Sequence, residues 1–381
     1  MNFESIPGLE NIKSRLLTSA REGQIAHAFL FQGKPGSLNL PLALAFAAYI
    51  HCTERGKVDS CGSCPACRLS QKFIHPDTHF AFPVGNMKSE MKIKGEDEEE
   101  SFRTEIKKFW RSFLIETPFG SEADWINHYG GEDKQPIISR AEGREIIRNL
   151  TLKPFQSKFK VMIIWQPEMM HPAAANGILK ILEEPPANTI FILASSRPEQ
   201  LLPTILSRTQ IITIPLLEDG EIENQLKQRK VEPKKIPAIV SLAEGNLNLA
   251  LRLVEEEDTH HYAIFQDWMR TCFKSDFGKI VSMADDFHNQ DRLYQRTFLQ
   301  YAMSMIRESL LGLFGSDQLH RTRGEERNFV EKFKTVFNLE KLEKSYQLLN
   351  DASYYLERNG SAKMIFTDLS IQFNKVLREL P

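Results

Sequence analysis

Four cysteines close together are the first candidates for chemistry. Cys52, Cys61, Cys64 and Cys67 are separated by eight, two and two residues. Two residues between ligands let a tight turn present both thiolates to one tetrahedral ion. Gly62 and Pro65 fall inside those turns, where the backbone has to double back. Four thiolates suit zinc and close its shell, so such a site is structural and not catalytic. An iron–sulfur cluster is the rival occupant, because close-spaced cysteine pairs also hold clusters. Unligated thiols are the third reading. His51 and His75 lie near enough to replace a ligand, but four cysteines suffice.

A glycine loop comes earlier, running from Gly33 through Lys34, Pro35, Gly36, Ser37, Leu38 and Asn39 to Leu40. A phosphate-binding loop has the form G-x-x-x-x-G-K-[ST]. Aligned on Gly33, the second glycine position holds Leu38, the lysine position Asn39 and the hydroxyl position Leu40. The lysine would neutralise the β- and γ-phosphates, and the hydroxyl would ligate Mg²⁺. Both are missing, and Lys34 sits at the wrong end of the loop to replace the first. The apolar run Val161-Met162-Ile163-Ile164 should end in acidic residues that hold Mg²⁺. It ends instead in Trp165 and Gln166, with Glu168 two residues too far along. Two halves of an ATP site are lost together, as expected of a nucleotide-binding fold without its chemistry.

The elements that would position these residues follow from periodicity. A helix is expected over 9–20, a buried strand over 28–31 and a buried helix over 40–50. Strand, glycine turn and helix are the layout of a phosphate loop. Further strands are expected at 161–164, 190–193 and 210–214, with helices at 140–150 and 173–182 between them. This alternation argues for a doubly wound α/β core. Residues 85–134 break the pattern. They carry an acidic run at 96–100, then Trp110, Phe113, Phe119 and Trp125. We read them as an inserted, partly helical excursion whose aromatics pack onto a small core of their own, with docking of a partner as the alternative. After Pro215 short helices are expected at 218–228, 236–242 and 248–254, and everything beyond residue 258 reads as helical. Apolar stripes at 293–313, 339–356 and 362–380 have spacings of three and four.

The chain has 381 residues, a prior of two to three domains. With 41% hydrophobic and 26% charged residues it has a globular composition, which excludes disorder and fibrous repeats. A formal net charge of −2 excludes a strongly basic nucleic-acid coat. Residues 1–7 lack the pattern of a secretory signal, and no apolar run is long enough to span a bilayer. The expectation is a cytoplasmic protein, where clustered cysteines hold metal sooner than form disulfides.

Several segments then resemble one family, the δ′ subunits of the bacterial DNA polymerase III clamp loader, within the AAA+ superfamily. The run from Ile25 to Gly33 is similar to the family's opening strand, and the four-cysteine module follows the first core helix, as it does there. His75-Pro76-Asp77 comes next. The run from Ala174 through Leu182-Glu183-Glu184-Pro185-Pro186 is close to the family's most distinctive segment. Leu202-Pro203-Thr204-Ile205-Leu206-Ser207-Arg208-Thr209 resembles its Ser-Arg-Cys motif, with Thr209 in place of the cysteine. The likeness spans about residues 5–255, broken by the excursion.

The resemblance implies an AAA+ α/β domain over 1–215, with a zinc module at 52–67 and an insertion at about 86–134. It implies a helical lid over 216–257 and an all-α collar for oligomerisation over 258–381. It implies that Arg208 is an arginine finger acting in trans on a neighbouring ATPase subunit; a surface arginine held in a salt bridge is the alternative. Such a finger is worth roughly 10³–10⁵ in rate elsewhere. Gly245 to Leu251 resembles the second sensor, with Asn248 where an arginine would reach the phosphate, and Ser195 and Ser196 stand at the first sensor. The implied cofactor is structural Zn²⁺, with no ATP bound by this chain. The implied partners are the clamp-loader ATPase subunits and the δ subunit, and, through the complex, the sliding clamp and primer-template DNA, with no membrane. A divergent ATPase and a zinc-containing DNA-binding protein are the alternatives. Arg55, Lys57, Arg68 and Lys72 beside the cysteines keep the second one open.

Overall fold

The structure is a computed structural model of the full chain. It describes residues 1–86, 98–131, 136–151, 153–255, 261–290, 292–313, 324–333, 337–358 and 360–378. The chain divides into two compact units: Met1–Ile222 with Gly245–Leu249, and Glu223–Glu244 with Ala250–Pro381.

The first unit begins with α1 (Glu10–Arg21), β1 (Ala28–Gln32), α2 (Asn39–His51), α3 (Pro65–Gln71) and β2 (Thr78–Ala81). The insertion supplies α4 (Glu98–Glu116) and α5 (Glu122–His128). Then come α6 (Arg140–Thr151), β3 (Lys160–Trp165), α7 (Pro172–Glu183), β4 (Thr189–Ser195), α8 (Pro203–Leu206) and β5 (Gln210–Thr213). The five strands form one sheet in the order β2-β3-β4-β1-β5. Every pairing is parallel, with Phe29 beside Ile192, Phe31 beside Ala194 and Val161 beside Ile190.

Central strands covered on both faces must be apolar at every position, not at alternate ones. All residues of β3 and β4 are buried, which explains their unbroken apolar runs. One face packs Leu30, Met162, Ile164, Phe191 and Leu193 against Ile146, Leu150, Ala174, Ile178 and Leu182. On the other, Phe29 and Phe31 meet Phe46 of α2, with ring centroids 5.4 and 6.3 Å apart. Every residue of α2 is buried, so its sequence is apolar all round.

The expected strands and helices of this unit form, with shifts of at most two residues at their ends. The strand β2 was not expected. It is four residues long on the sheet edge, and only Ala81 is fully buried. It is fixed by what precedes it. The Asp77 carboxylate accepts backbone N–H groups of Phe155, Gln156 and Ser157, tying the start of β2 to the loop that enters β3. Burial would raise the Asp77 pKa, but these three donors hold it below the usual value.

A helix α9 (Asp219–Gln228) runs across the division between the units, and the segment expected as a lid contributes to both. The second unit continues through α10 (Ile236–Ala243), α11 (Leu247–Glu255, whose first three residues count with the first unit), α12 (His261–Lys274), α13 (Phe277–Asn289), α14 (Arg292–Leu313), α15 (Gly324–Phe333), α16 (Leu339–Glu357) and α17 (Ala362–Arg378). The expected boundary at residues 257 and 258 lies outside the described residues. The apolar stripes converge on a core that includes Phe265, Trp268, Phe298, Phe366 and Phe373. Trp268 stacks on Phe366 at 5.0 Å and donates its indole N–H to Ser370 Oγ at 2.8 Å. Cys272 is fully buried here, and burial pushes its thiol up to about 12, which makes it an inert core residue. Among the described residues, no helix is long and apolar enough to cross a membrane.

Candidate functional site: a metal centre and a closed phosphate loop

The four cysteines come together. Their Sγ atoms all lie within 4.8 Å of one another. Cys61 Sγ is 3.9 Å from Cys67 Sγ. A tetrahedral ion with bonds of about 2.3 Å to sulfur needs a ligand spacing of about 3.8 Å, so the group fits one ion. The close spacing of the residues produces this directly. The N–H of Cys61 donates to Cys52 Sγ, that of Cys64 to Cys61 Sγ and that of Cys67 to Cys64 Sγ, at 3.3, 3.3 and 3.4 Å. Amide donors aimed at sulfur favour the thiolate that a metal requires. The N–H groups of Cys64 and Ser63 lower the Cys61 thiol below its ordinary range. Burial pushes Cys64 up, but hydrogen bonds from Thr53 and Cys67 outweigh it and bring the thiol to about 6. Two of the nearby cations are turned to carbonyls: Arg55 Nε donates to Cys52 O, and Arg68 Nε to Ser63 O.

The glycine loop follows β1 at the carboxyl end of the sheet, where doubly wound folds place their ligands. Gly33 N donates to Ser195 O at 3.2 Å. A Cβ on Gly33 would stand 2.3 Å from Ser37 Oγ and 2.4 Å from Ile214 O, so no larger residue fits. Gly36 has φ near 92°, and its open side is filled by the Asn246 side chain. Asn39, in the lysine position, is 3% exposed. Its Nδ2 donates to Ser195 O at 2.6 Å, and its Oδ1 lies 3.0 Å from Ser37 Oγ. The side-chain polar atoms of Ser37 and Asn39 are thus engaged with the loop's own walls, and Leu40 beside them is buried.

The end of β3 is equally occupied. Trp165 is buried, and Gln166 takes a left-handed backbone conformation and donates its side-chain N–H to Ser196 Oγ at 3.1 Å. Glu168 does not point to a vacant metal position. Its Oε1 accepts the N–H groups of Ser196 and Arg197 at 3.1 and 3.0 Å, closing the turn after β4. Burial raises its pKa. Among the described residues, Gln166 Oε1 and Glu168 Oε2 are buried without a hydrogen-bond partner.

The insertion lies across these strand ends, which sequence reasoning did not anticipate. Trp110, Phe113 and Trp125 are buried together with Phe82, just after β2, and Trp165, at the end of β3. The Trp125 indole donates to Pro83 O at 2.7 Å. Glu122 pairs with Arg197, beyond β4. Asp124 accepts from the Asn248 side chain at 2.7 Å. The available signals were Trp110 and Phe113 on one helical face, and Ser121 three residues before Asp124, which forms a capping box. The acidic run divides: Glu98 to Glu100 open α4, and residues 96 and 97 lie outside the described residues.

Arg208 is elsewhere. It stands two residues before β5, at the amino end of the sheet, whereas the glycine loop leaves the carboxyl end of the adjacent β1. The five residues of β1 span about 16 Å. Its Nη1 donates to Thr204 O at 2.9 Å and Ser207 Oγ at 3.1 Å, and its Nη2 to Glu183. Arg208 therefore belongs to a different surface from this chain's own phosphate loop.

A family profile described as "DNA polymerase III, delta subunit" matches residues 8–218, more than half of the chain. The chain is 28% identical over 243 residues to DNA polymerase III subunit delta' of Bacillus subtilis, covering 64% of this chain and 58% of that protein. It is 27% identical over 208 residues to DNA polymerase III subunit gamma/tau of Mycobacterium tuberculosis, covering 55% of this chain and 28% of that one. Against subunit tau of Escherichia coli the identity is 25% over 260 residues, with 67% and 32% covered. The chain thus spans under two thirds of each of these relatives. Among solved structures, a DNA polymerase III gamma subunit-related protein of Thermotoga maritima aligns over 95% of this chain and 99% of its own, at a TM-score of 0.43 and 15% identity.

Proposed function

The chain belongs to the DNA polymerase III delta subunit family, and from that premise we propose that it is a non-hydrolysing, δ′-like subunit of a replicative clamp loader. It assembles with ATPase subunits and a δ subunit in the cytoplasm and helps them place the sliding clamp on primer-template DNA. Residues 216–257 act as its helical lid, and residues 258–381 as the collar that joins the other subunits. The four cysteines hold one structural zinc ion, which stiffens the connection between α2 and α3.

The observation that carries the non-hydrolysing assignment is the closure of the phosphate loop. Hydrolysis needs a cation on the phosphates, a hydroxyl and an acid on Mg²⁺, and space for the nucleotide. Asn39, Leu40 and Trp165 hold those positions, and Asn39 is buried against Ser195. Asn246 fills the loop, and the insertion covers the neighbouring strand ends. Arg208 sits at the far end of the sheet from this loop, which supports action in trans and not on its own site.

Titration of the purified chain with a fluorescent ATP analogue, with and without Mg²⁺, tests this reading. No saturable, Mg²⁺-dependent binding is expected in the micromolar range. Micromolar Mg²⁺-dependent binding would return the chain to the ATPases.

A further inference from the structure

Arg208 is held by neighbours that lie on two different elements. Ile205 of α8 is 1% exposed and packs in the core with Ile178 and Leu182 of α7. That contact fixes the short α8 against the end of α7. Glu183 is the last residue of α7 and pairs with Arg208 Nη2. Thr204 O and Ser207 Oγ take the two N–H groups of Nη1. Among the described residues, three of the five guanidinium N–H groups are engaged, leaving Nε–H and one Nη2–H for another acceptor. The Arg208 side chain stays 32% exposed and the Glu183 side chain 50%.

We propose that Glu183 is a positioning residue for Arg208: its carboxylate holds the guanidinium in the partly exposed pose from which the finger meets a neighbouring subunit's phosphates. The proposal rests on the trans-finger reading and adds the residue that aims the finger. An unrestrained arginine has many rotamers, and part of that side-chain entropy would be lost at each encounter with the neighbouring site. The pair removes part of that loss in advance. The carboxylate engages one edge of the fork and leaves N–H groups free for a phosphoryl oxygen.

The test uses the complex reconstituted with its native partner subunits, carrying Glu183→Ala, Glu183→Gln or Arg208→Ala. ATP turnover is read as kcat and KM. Assembly is read by size-exclusion chromatography, and thermal melting of each variant chain reports folding. Arg208→Ala should abolish turnover at the interface it serves, a loss of about a thousandfold or more at that site. Glu183→Ala should lower kcat about two- to fivefold with KM unchanged, the size a half-exposed ion pair can carry. Glu183→Gln, which keeps the acceptor, should recover most of it. If Arg208→Ala abolishes turnover while Glu183→Ala matches or exceeds wild type, the positioning role is overturned and the finger stands. If Arg208→Ala itself leaves turnover unchanged, the trans-finger reading falls, and the positioning role with it.

Discussion

At the scale of single residues, the site is distinguished by polar groups that face inward. Asn39 occupies the place where an ATPase exposes a lysine to its nucleotide, and Glu168 lies just past the acidic position; Asn39 bonds the last residue of β4 and Glu168 the turn after it. The sequence showed that the lysine and the acids were missing. It did not show that their replacements lock the strand ends together, because those partners lie over 25 residues away in the chain. Glu142 is a second inward-facing group. It forms a reciprocal capping pair with Ser139, accepting from its N–H at 3.0 Å while donating its own N–H to Ser139 Oγ at 3.2 Å. Burial raises its pKa to about 7, against an ordinary value of 4.5. A raised carboxyl binds its proton more tightly in the folded state, so this group favours folding below about pH 5 and loses that contribution as pH rises through 7. Glu142→Gln keeps the acceptor for Ser139 and removes the ionisation. Urea denaturation should find the variant more stable than wild type at pH 8, by up to about 3 kcal/mol, and equal to it at pH 4. An equal difference at both pH values would mean that ionisation of Glu142 does not affect stability.

At the scale of elements, legibility tracked burial. The strands β3 and β4 are buried at every position and read plainly from their apolar runs. The edge strand β2 did not, because half-exposed Thr78, His79 and Phe80 give no such run. The insertion was legible as helical and aromatic, but not as a cover for the sheet. Trp165 illustrates why: in the sequence it is a missing acid, and in the fold it is the contact that Trp110 and Phe113 pack upon. The cysteine module was the most legible element, since its geometry is set within sixteen residues of chain. Elemental analysis of the purified chain should find about one zinc. Chelation should lower the melting temperature, because an ion at a hundred times its Kd stabilises by about 2.7 kcal/mol. Cys64→Ser should lose the metal and melt like the chelated protein. Visible absorption with bound iron would replace zinc by a cluster.

At the scale of the whole molecule, the question is where its affinity for other molecules lies. The summed charge is −2, and two of the cations beside the cysteine module are turned toward main-chain carbonyls. Sequence-independent DNA affinity comes from lysine and arginine neutralising phosphates and releasing counterions. For a chain so nearly neutral, with Arg55 and Arg68 so engaged, the expectation is little DNA affinity of its own. Asn39 and Glu168 beside its phosphate loop likewise make their hydrogen bonds within the chain. Under the proposed function, Arg208 is the partly exposed group offered to another subunit. The isolated chain, titrated against a labelled primer-template duplex by fluorescence anisotropy at 0.15 M salt, should therefore bind no tighter than the weak end of non-specific affinity, about 10⁻⁴ M. Its assembly with partner subunits should bind DNA far more tightly without any change in this chain's sequence. Micromolar binding by the isolated chain, weakening steeply as salt is raised, would show a basic surface on this chain that contacts DNA directly and would favour the zinc-containing DNA-binding alternative.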